Sequence, residues 1–108
     1  MSKRLYVAGP MTGLPGLNFE AFHTVAGILR REGYEVVNPA ELNSDPKAQW
    51  AECMRTDIKA LVDCDGVALL GGWEHSRGAK LEAHIAEALG MTLRAWDEWV
   101  RHARAKGG

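Results

Sequence analysis

What most constrains this chain is a regular alternation between two periodicities. Short apolar runs ending at glycine or proline are separated by longer stretches in which apolar residues recur every three or four positions. Leu5-Tyr6-Val7-Ala8 runs into Gly9-Pro10, and Glu35-Val36-Val37 into Asn38-Pro39. Gly66-Val67-Ala68-Leu69-Leu70 runs into Gly71-Gly72, and Met91 to Ala95 forms a fourth short run. Such runs read as buried strands leading into loops. Phe19, Phe22, Ala26 and Leu29 fit one face of a helix from about Phe19 to Glu32, with Asn18 as the expected N-cap and Gly33 as the stop. Asp45-Pro46 reads as a cap and first-turn proline opening a helix that runs to about Val62. A third helix is predicted over roughly Gly78 to Leu89, and a last one over Asp97 to Ala105.

Strands that alternate with helices pair in parallel, because each helix carries the chain back across the sheet. The expectation is therefore an α/β fold: one small domain over residues 1–108, with a parallel sheet of about four strands and helices on both faces. Ligands of such sheets bind outside the carboxyl ends of the strands. That directs attention to the loops after Val7, Val37 and Leu70.

Charge and composition narrow the function classes. Thirteen basic and 14 acidic residues give a net charge of −1, so no broad field draws in a nucleic-acid polymer. The apolar runs are too short to span a membrane, and Gly9-Pro10 interrupts the first one too early for a secretory signal. A cytoplasmic protein is expected. Cys53 and Cys64 on one helix would stand roughly 16 Å apart, beyond disulfide reach, and read as small core residues of a reducing compartment. His23, His75, His84 and His102 show no ligand spacing, so neither a metal nor a cofactor is expected.

Two acids break the helical pattern. Glu82 has Ala79, Ile85, Ala86 and Leu89 as its helical neighbours, while Lys80, His84 and Glu87 form the solvated face. Asp57 is the one charge in the stripe Trp50, Cys53, Asp57, Leu61 and Cys64. A carboxylate on an apolar stripe is expensive to bury unless it is paired or used. Glu82 is therefore either a partly exposed residue favoured by the helix dipole or a functional acid. Asp57 is either a hydrogen-bond acceptor for a neighbouring loop or the second member of an acid pair. Two such acids suit acid–base or glycosidic chemistry, in which one carboxylate attacks and the other handles a proton.

The glycine-rich segment Gly71 to Gly78 leads straight into the third helix. Ser76, Arg77 and the amides there either form an anion site or make an ordinary capped turn. Trp73 stacks on a base or covers the sheet edge. Trp96 and Trp99 pack the last helix down or build a subunit contact.

Three segments carry a family resemblance. Tyr6-Val7-Ala8-Gly9-Pro10-Met11, Asp57-Ile58 ahead of Asp65-Gly66-Val67-Ala68, and Ser76-Arg77-Gly78-Ala79-Lys80-Leu81-Glu82 resemble the nucleoside 2-deoxyribosyltransferase-like superfamily. Within it the chain looks closest to a small branch common in phages and prophages, and the likeness runs from Leu5 to Gly90. The resemblance implies a flavodoxin-like (Rossmann-like) fold and cleavage or exchange of the N-glycosidic bond of a nucleoside or nucleoside 5′-monophosphate. By the same resemblance Glu82 is the nucleophile that attacks C1′, Asp57 the acid that serves the departing base, and Tyr6 the hydroxyl that positions the nucleophile. Gly9, Met11, Ser76 and Gly78 are implied to hold a 5′-phosphate, which favours hydrolysis over transfer. A homo-oligomer with a shared active site is implied as well. Two departures stand out: His84 occupies a position where the family often has glycine, and the first loop lacks the arginine some hydrolases place on phosphate, a role open to Arg77. The same pocket without turnover would make a nucleotide-binding module. A protein whose last helix docks a partner is the other alternative.

Overall fold

The computed structural model describes residues 3–43 and 47–107. Four strands, β1 (Arg4–Ala8), β2 (Glu35–Val37), β3 (Gly66–Leu69) and β4 (Thr92–Ala95), form one sheet in the order β2-β1-β3-β4, and every neighbouring pair is parallel. Five helices accompany them: α1 (Phe19–Arg31), α2 (Pro39–Leu42), α3 (Trp50–Leu61), α4 (Arg77–Ala88) and α5 (Trp96–Gly107). This is the expected α/β architecture, a small flavodoxin-like sheet. The chain leaves β1 for β2 on one side and returns past β1 to β3, which creates a switch point between β1 and β3.

Strand alternation divides the interior in two. Leu5 and Val7 pack with Phe22, Val25 and Leu29 of α1 and with Trp99 and Val100 of α5. Tyr6 and Ala8 point the other way, into a cluster with Leu61, Cys64 and Ala86 from the α3–α4 side. The two-residue period of β1 therefore decides which helices its only tyrosine meets. Among the described residues, no helix is long and apolar enough to cross a membrane.

Several boundaries differ from the sequence expectation. Asn18 adopts left-handed backbone (φ 61°) and makes no side-chain cap; its amide instead donates to Pro10 O at 3.0 Å, tying down the first loop. The second long helix begins at Trp50, after an extended Gln49. Asp45 and Pro46, the expected start, lie outside the described residues, and Lys47 to Gln49 are not helical. A helix continued backwards would place Lys47, three residues before Trp50, on the buried stripe. The helical turn α2 was not expected at all, since four residues carry no periodicity. It forms because Asn38 caps it, accepting from Ala40 N at 2.9 Å, and Pro39 fits its first turn.

Trp99 fixes α5 to the sheet. It is fully buried, its indole N–H donates to Val67 O at 2.9 Å, and Trp96 packs against the same core. Gly66 is the counterpart of this contact, for a Cβ there would stand 2.7 Å from Trp99 Cζ2 and 2.9 Å from Thr92 O. The Thr92 carbonyl belongs to a paired strand and has no room to yield. Gly66→Ala is expected to lower stability by about 2–3 kcal/mol, which a thermal melt would register as a drop of roughly 10 °C or more.

Candidate active site

The loops after β1 and β3 and the first turns of α3 and α4 enclose a cleft of about 570 Å³ at the switch point. Its floor holds the two acids that the sequence pattern singles out. Asp57 comes from α3 and Glu82 from α4; both line the cleft and both are about 95% buried, at 6% and 5% exposure. Periodicity explains their placement, since each lies on the inward stripe of its helix, close to the carboxyl end of the sheet.

Tyr6, fully buried on β1, reaches up beneath them and donates its hydroxyl to Glu82 Oε2. Asp57 Oδ1 accepts from the Asn43 side-chain amide at 2.5 Å. Burial pushes the Glu82 carboxyl up to about 8; the Tyr6 hydrogen bond opposes this and the nearby Asp57 charge adds to it. Burial also raises Asp57, to about 6, against the hydrogen bond from Asn43 and the influence of the Tyr6 hydroxyl. Tyr6 itself is held neutral well above its ordinary range, first by burial and then by the two acids. Near neutral pH the pair therefore shares a single proton, with the Tyr6 hydroxyl in touch with both carboxyls.

The cleft mouth has the opposite character. Ser76 caps α4 by accepting from Ala79 N at 3.2 Å. Ser76, Arg77 and Gly78 line the cleft at this helix start, where the amides of the first turn have no partner within the helix. The Arg77 guanidinium lies 3.9 Å over the ring of Trp50, a cation–π contact that fixes a positive charge at the rim. Gly78 permits the approach of the two helices, because a Cβ there would meet Met54 Sδ at 3.3 Å. Gly9 is required in the same way: its Cβ would fall 2.7 Å from Leu70 Cβ, so the first loop could not lie against the end of β3. Gly9 and Met11 both line the cleft.

Eight of the nine residues singled out in the sequence thus surround one cavity, counting Tyr6 through its bond to Glu82. Trp73 does not: it packs against the cluster of Tyr6, Val67 and Leu69 and covers the sheet there. Two neighbours of the acids had escaped notice. Trp50 was visible on the Asp57 stripe but reads there as core. Asn43 carries no signal in the sequence, because its position depends on the unexpected turn α2. Cys64 is a free, buried thiol whose burial raises it to about 11, which makes it an inert core residue. Among the described residues no three His, Cys, Asp or Glu side chains converge as a metal site.

No curated protein matches the chain. Residues 3–95 match the model of the family described as Domain of unknown function (DUF4406), a span that takes in the whole sheet and every wall of the cleft. The chain is a member of the DUF4406 family.

Proposed function

We propose that the cleft binds a nucleoside or nucleoside 5′-monophosphate and breaks its N-glycosidic bond, by hydrolysis or by transfer to another base. The observation that carries this reading is the pair of buried carboxyls, Glu82 and Asp57, on one cleft floor with different proton affinities. Paired carboxyls whose surroundings pull their proton affinities apart are the usual equipment for glycosidic chemistry.

In this reading the Glu82 carboxylate attacks C1′. The C1′–N bond breaks, a glycosyl ester forms on Glu82, and the departing base takes a proton from Asp57. Water, or an acceptor base, then attacks C1′ and gives up its proton to the Asp57 carboxylate, which breaks the ester, frees Glu82 and restores the acid. The reactive arrangement, Glu82 ionised and Asp57 protonated, differs from the resting one only in where the shared proton sits, and the Tyr6 hydroxyl spans that distance. The mouth favours an anionic 5′ end. Arg77 and the first amides of α4 stand five residues before Glu82, about 7.5 Å along the helix axis. That span suits a pentose lying between its anomeric carbon and a 5′-phosphate. Net charge agrees as well: a substrate phosphate meets a fixed cation at the rim and one negative charge on the floor.

Chromatography of free bases released from a panel of nucleosides and 5′-monophosphates tests the reading. The wild-type chain is expected to release base, and Glu82→Gln to lose at least roughly 10³-fold of that rate. Should neither protein release base while a nucleotide still raises the melting temperature, the site binds without turnover and the glycosidic reading falls.

A further inference from the structure

Asn43 follows directly on α2, with its amide nitrogen 2.5 Å from Asp57 Oδ1 and 3.2 Å from Pro39 O. A backbone carbonyl only accepts, so the group facing Pro39 is the NH2 and the amide has no freedom to turn its oxygen toward Asp57. Asp57 Oδ1 therefore meets a donor whichever proton state the carboxyl is in. An atom that already accepts a hydrogen bond from a fixed N–H is a poor place for a second hydrogen, so a proton on Asp57 belongs on the other oxygen.

We propose, resting on the glycosidic reading above, that Asn43 is a positioning residue: by holding Oδ1 it confines the exchangeable proton of Asp57 to Oδ2, the other carboxyl oxygen. The restraint placed on α2 supports this. A single turn is not stable by itself, yet this one is anchored at several points. Asn38, buried and bonded to Ala40 N, also contacts His23 Nδ1 at 3.1 Å. Arg30 clamps Glu41 with two hydrogen bonds of 3.0 and 2.8 Å. Asn43 N closes the turn on Pro39 O at 3.0 Å. All of this fixes the place from which one amide reaches a buried acid.

The Asn43 bond also works against burial in setting the proton affinity of Asp57. The other titratable or charged groups around Asp57 are Tyr6 from β1 and Glu82 from α4, with Cys53 on its own helix and His75 and Arg77 on the cleft wall. Asn43 is a neutral, non-titrating donor, so its replacement by an apolar residue removes one hydrogen bond from Asp57 and adds no charge.

The test uses the full chain with carbon-13 at aspartate carboxyls, the Asp57 signal being assigned by its loss in Asp57→Asn. In Asn43→Ala and in Asn43→Leu the Asp57 midpoint is expected to rise from about 6 to about 7 or higher. The lower limb of the pH profile for base release should move by the same amount, with KM changed less than about twofold. Asn43→Leu keeps the size and branching of the side chain without a donor or a charge and serves alone if the alanine variant fails to fold, with circular dichroism as the check. An unmoved Asp57 midpoint in a folded variant overturns the role of Asn43, whether or not base is released. A moved midpoint in a chain that releases no base supports the hold on the proton and overturns the glycosidic reading instead.

Discussion

Glu82→Gln is expected to stabilise the protein at pH 7.5 and to do nothing of the kind at pH 4.5. The reason is the burial of an acid that prefers to keep its proton. The Glu82 carboxyl rises from an ordinary 4.5 to about 8 in the folded chain, chiefly because burial penalises its charged form. Between those two values the native state holds a proton that the unfolded state has released. Stability then falls as pH rises, by about 1.4 kcal/mol per pH unit, and is fully present only below the unfolded value. At pH 7.5 the accumulated loss is on the order of 4 kcal/mol. Glutamine has no proton to release and avoids this loss, although its new N–H donors need partners, an offset of about 1–3 kcal/mol. A net gain of about 2 kcal/mol, roughly 10 °C in a domain of this size, is the expected result at pH 7.5. At pH 4.5 the linkage gain has nearly vanished while the cost of the amide donors remains, so Glu82→Gln is expected to melt below the wild type there, by up to about 1–3 kcal/mol. A gain of equal size at both pH values, or a loss at pH 7.5, would show that Glu82 is not a strained acid. Coupled with loss of base release, the gain at pH 7.5 would mark Glu82 as a residue kept for chemistry at the expense of stability.

Why this acid was legible in the sequence, and other parts of the site were not, follows from the range of each signal. Glu82 and Asp57 stood out because a helix repeats every 3.6 residues, so a single charge on an apolar stripe is visible within two turns. Tyr6 could be assigned to the α3–α4 side only once neighbours in the sheet were known, because strand alternation gives two faces without saying which helices cover them. The strand–helix alternation carried the parallel sheet. It also carried the position of the cleft, since a sheet whose order doubles back between β1 and β3 opens there. The turn α2 was illegible for the opposite reason: four residues leave no periodicity, and its stability comes from Asn38, Arg30 and a buried Ala40. Asn43 inherits that illegibility. Asn18 misled because a helix-start asparagine is a good cap in most settings. Here Gly16 and Leu17 already turn left-handed and leave its side chain facing Pro10. Trp73 and Trp50 show how little composition says about aromatic residues near a cleft. Trp73 packs away from the cavity, while Trp50 supplies its rim by lying under Arg77.

The pH dependence of base release should be bell-shaped, with limbs near pH 6 and pH 8 and a maximum close to 7. Those limbs belong to the acid pair as a whole, because Glu82 and Asp57 share one proton between the two values. Below pH 6 both carboxyls are protonated and no nucleophile remains. Above pH 8 both are ionised, the departing base finds no proton, and kcat/KM falls about tenfold per pH unit on either side. Either placement of the single proton gives the same curve, so the wild-type profile counts protons without locating them. Asp57→Asn locates them. With the amide in place the general acid is lost, and the rate at pH 7 is expected to drop by about 10²–10⁴-fold. The bell should also lose its alkaline side: only the ionisation of Glu82 remains, and activity rises with pH to a plateau. That single limb should lie below pH 8, because the Asp57 charge is one of the influences that hold Glu82 up. Melts across the same pH range would separate these effects from unfolding. A flat profile from pH 5.5 to 8.5, or an Asp57→Asn variant that keeps its alkaline fall, would remove Asp57 from the proton step. Glu82 would then be left to work with a donor brought by the substrate itself.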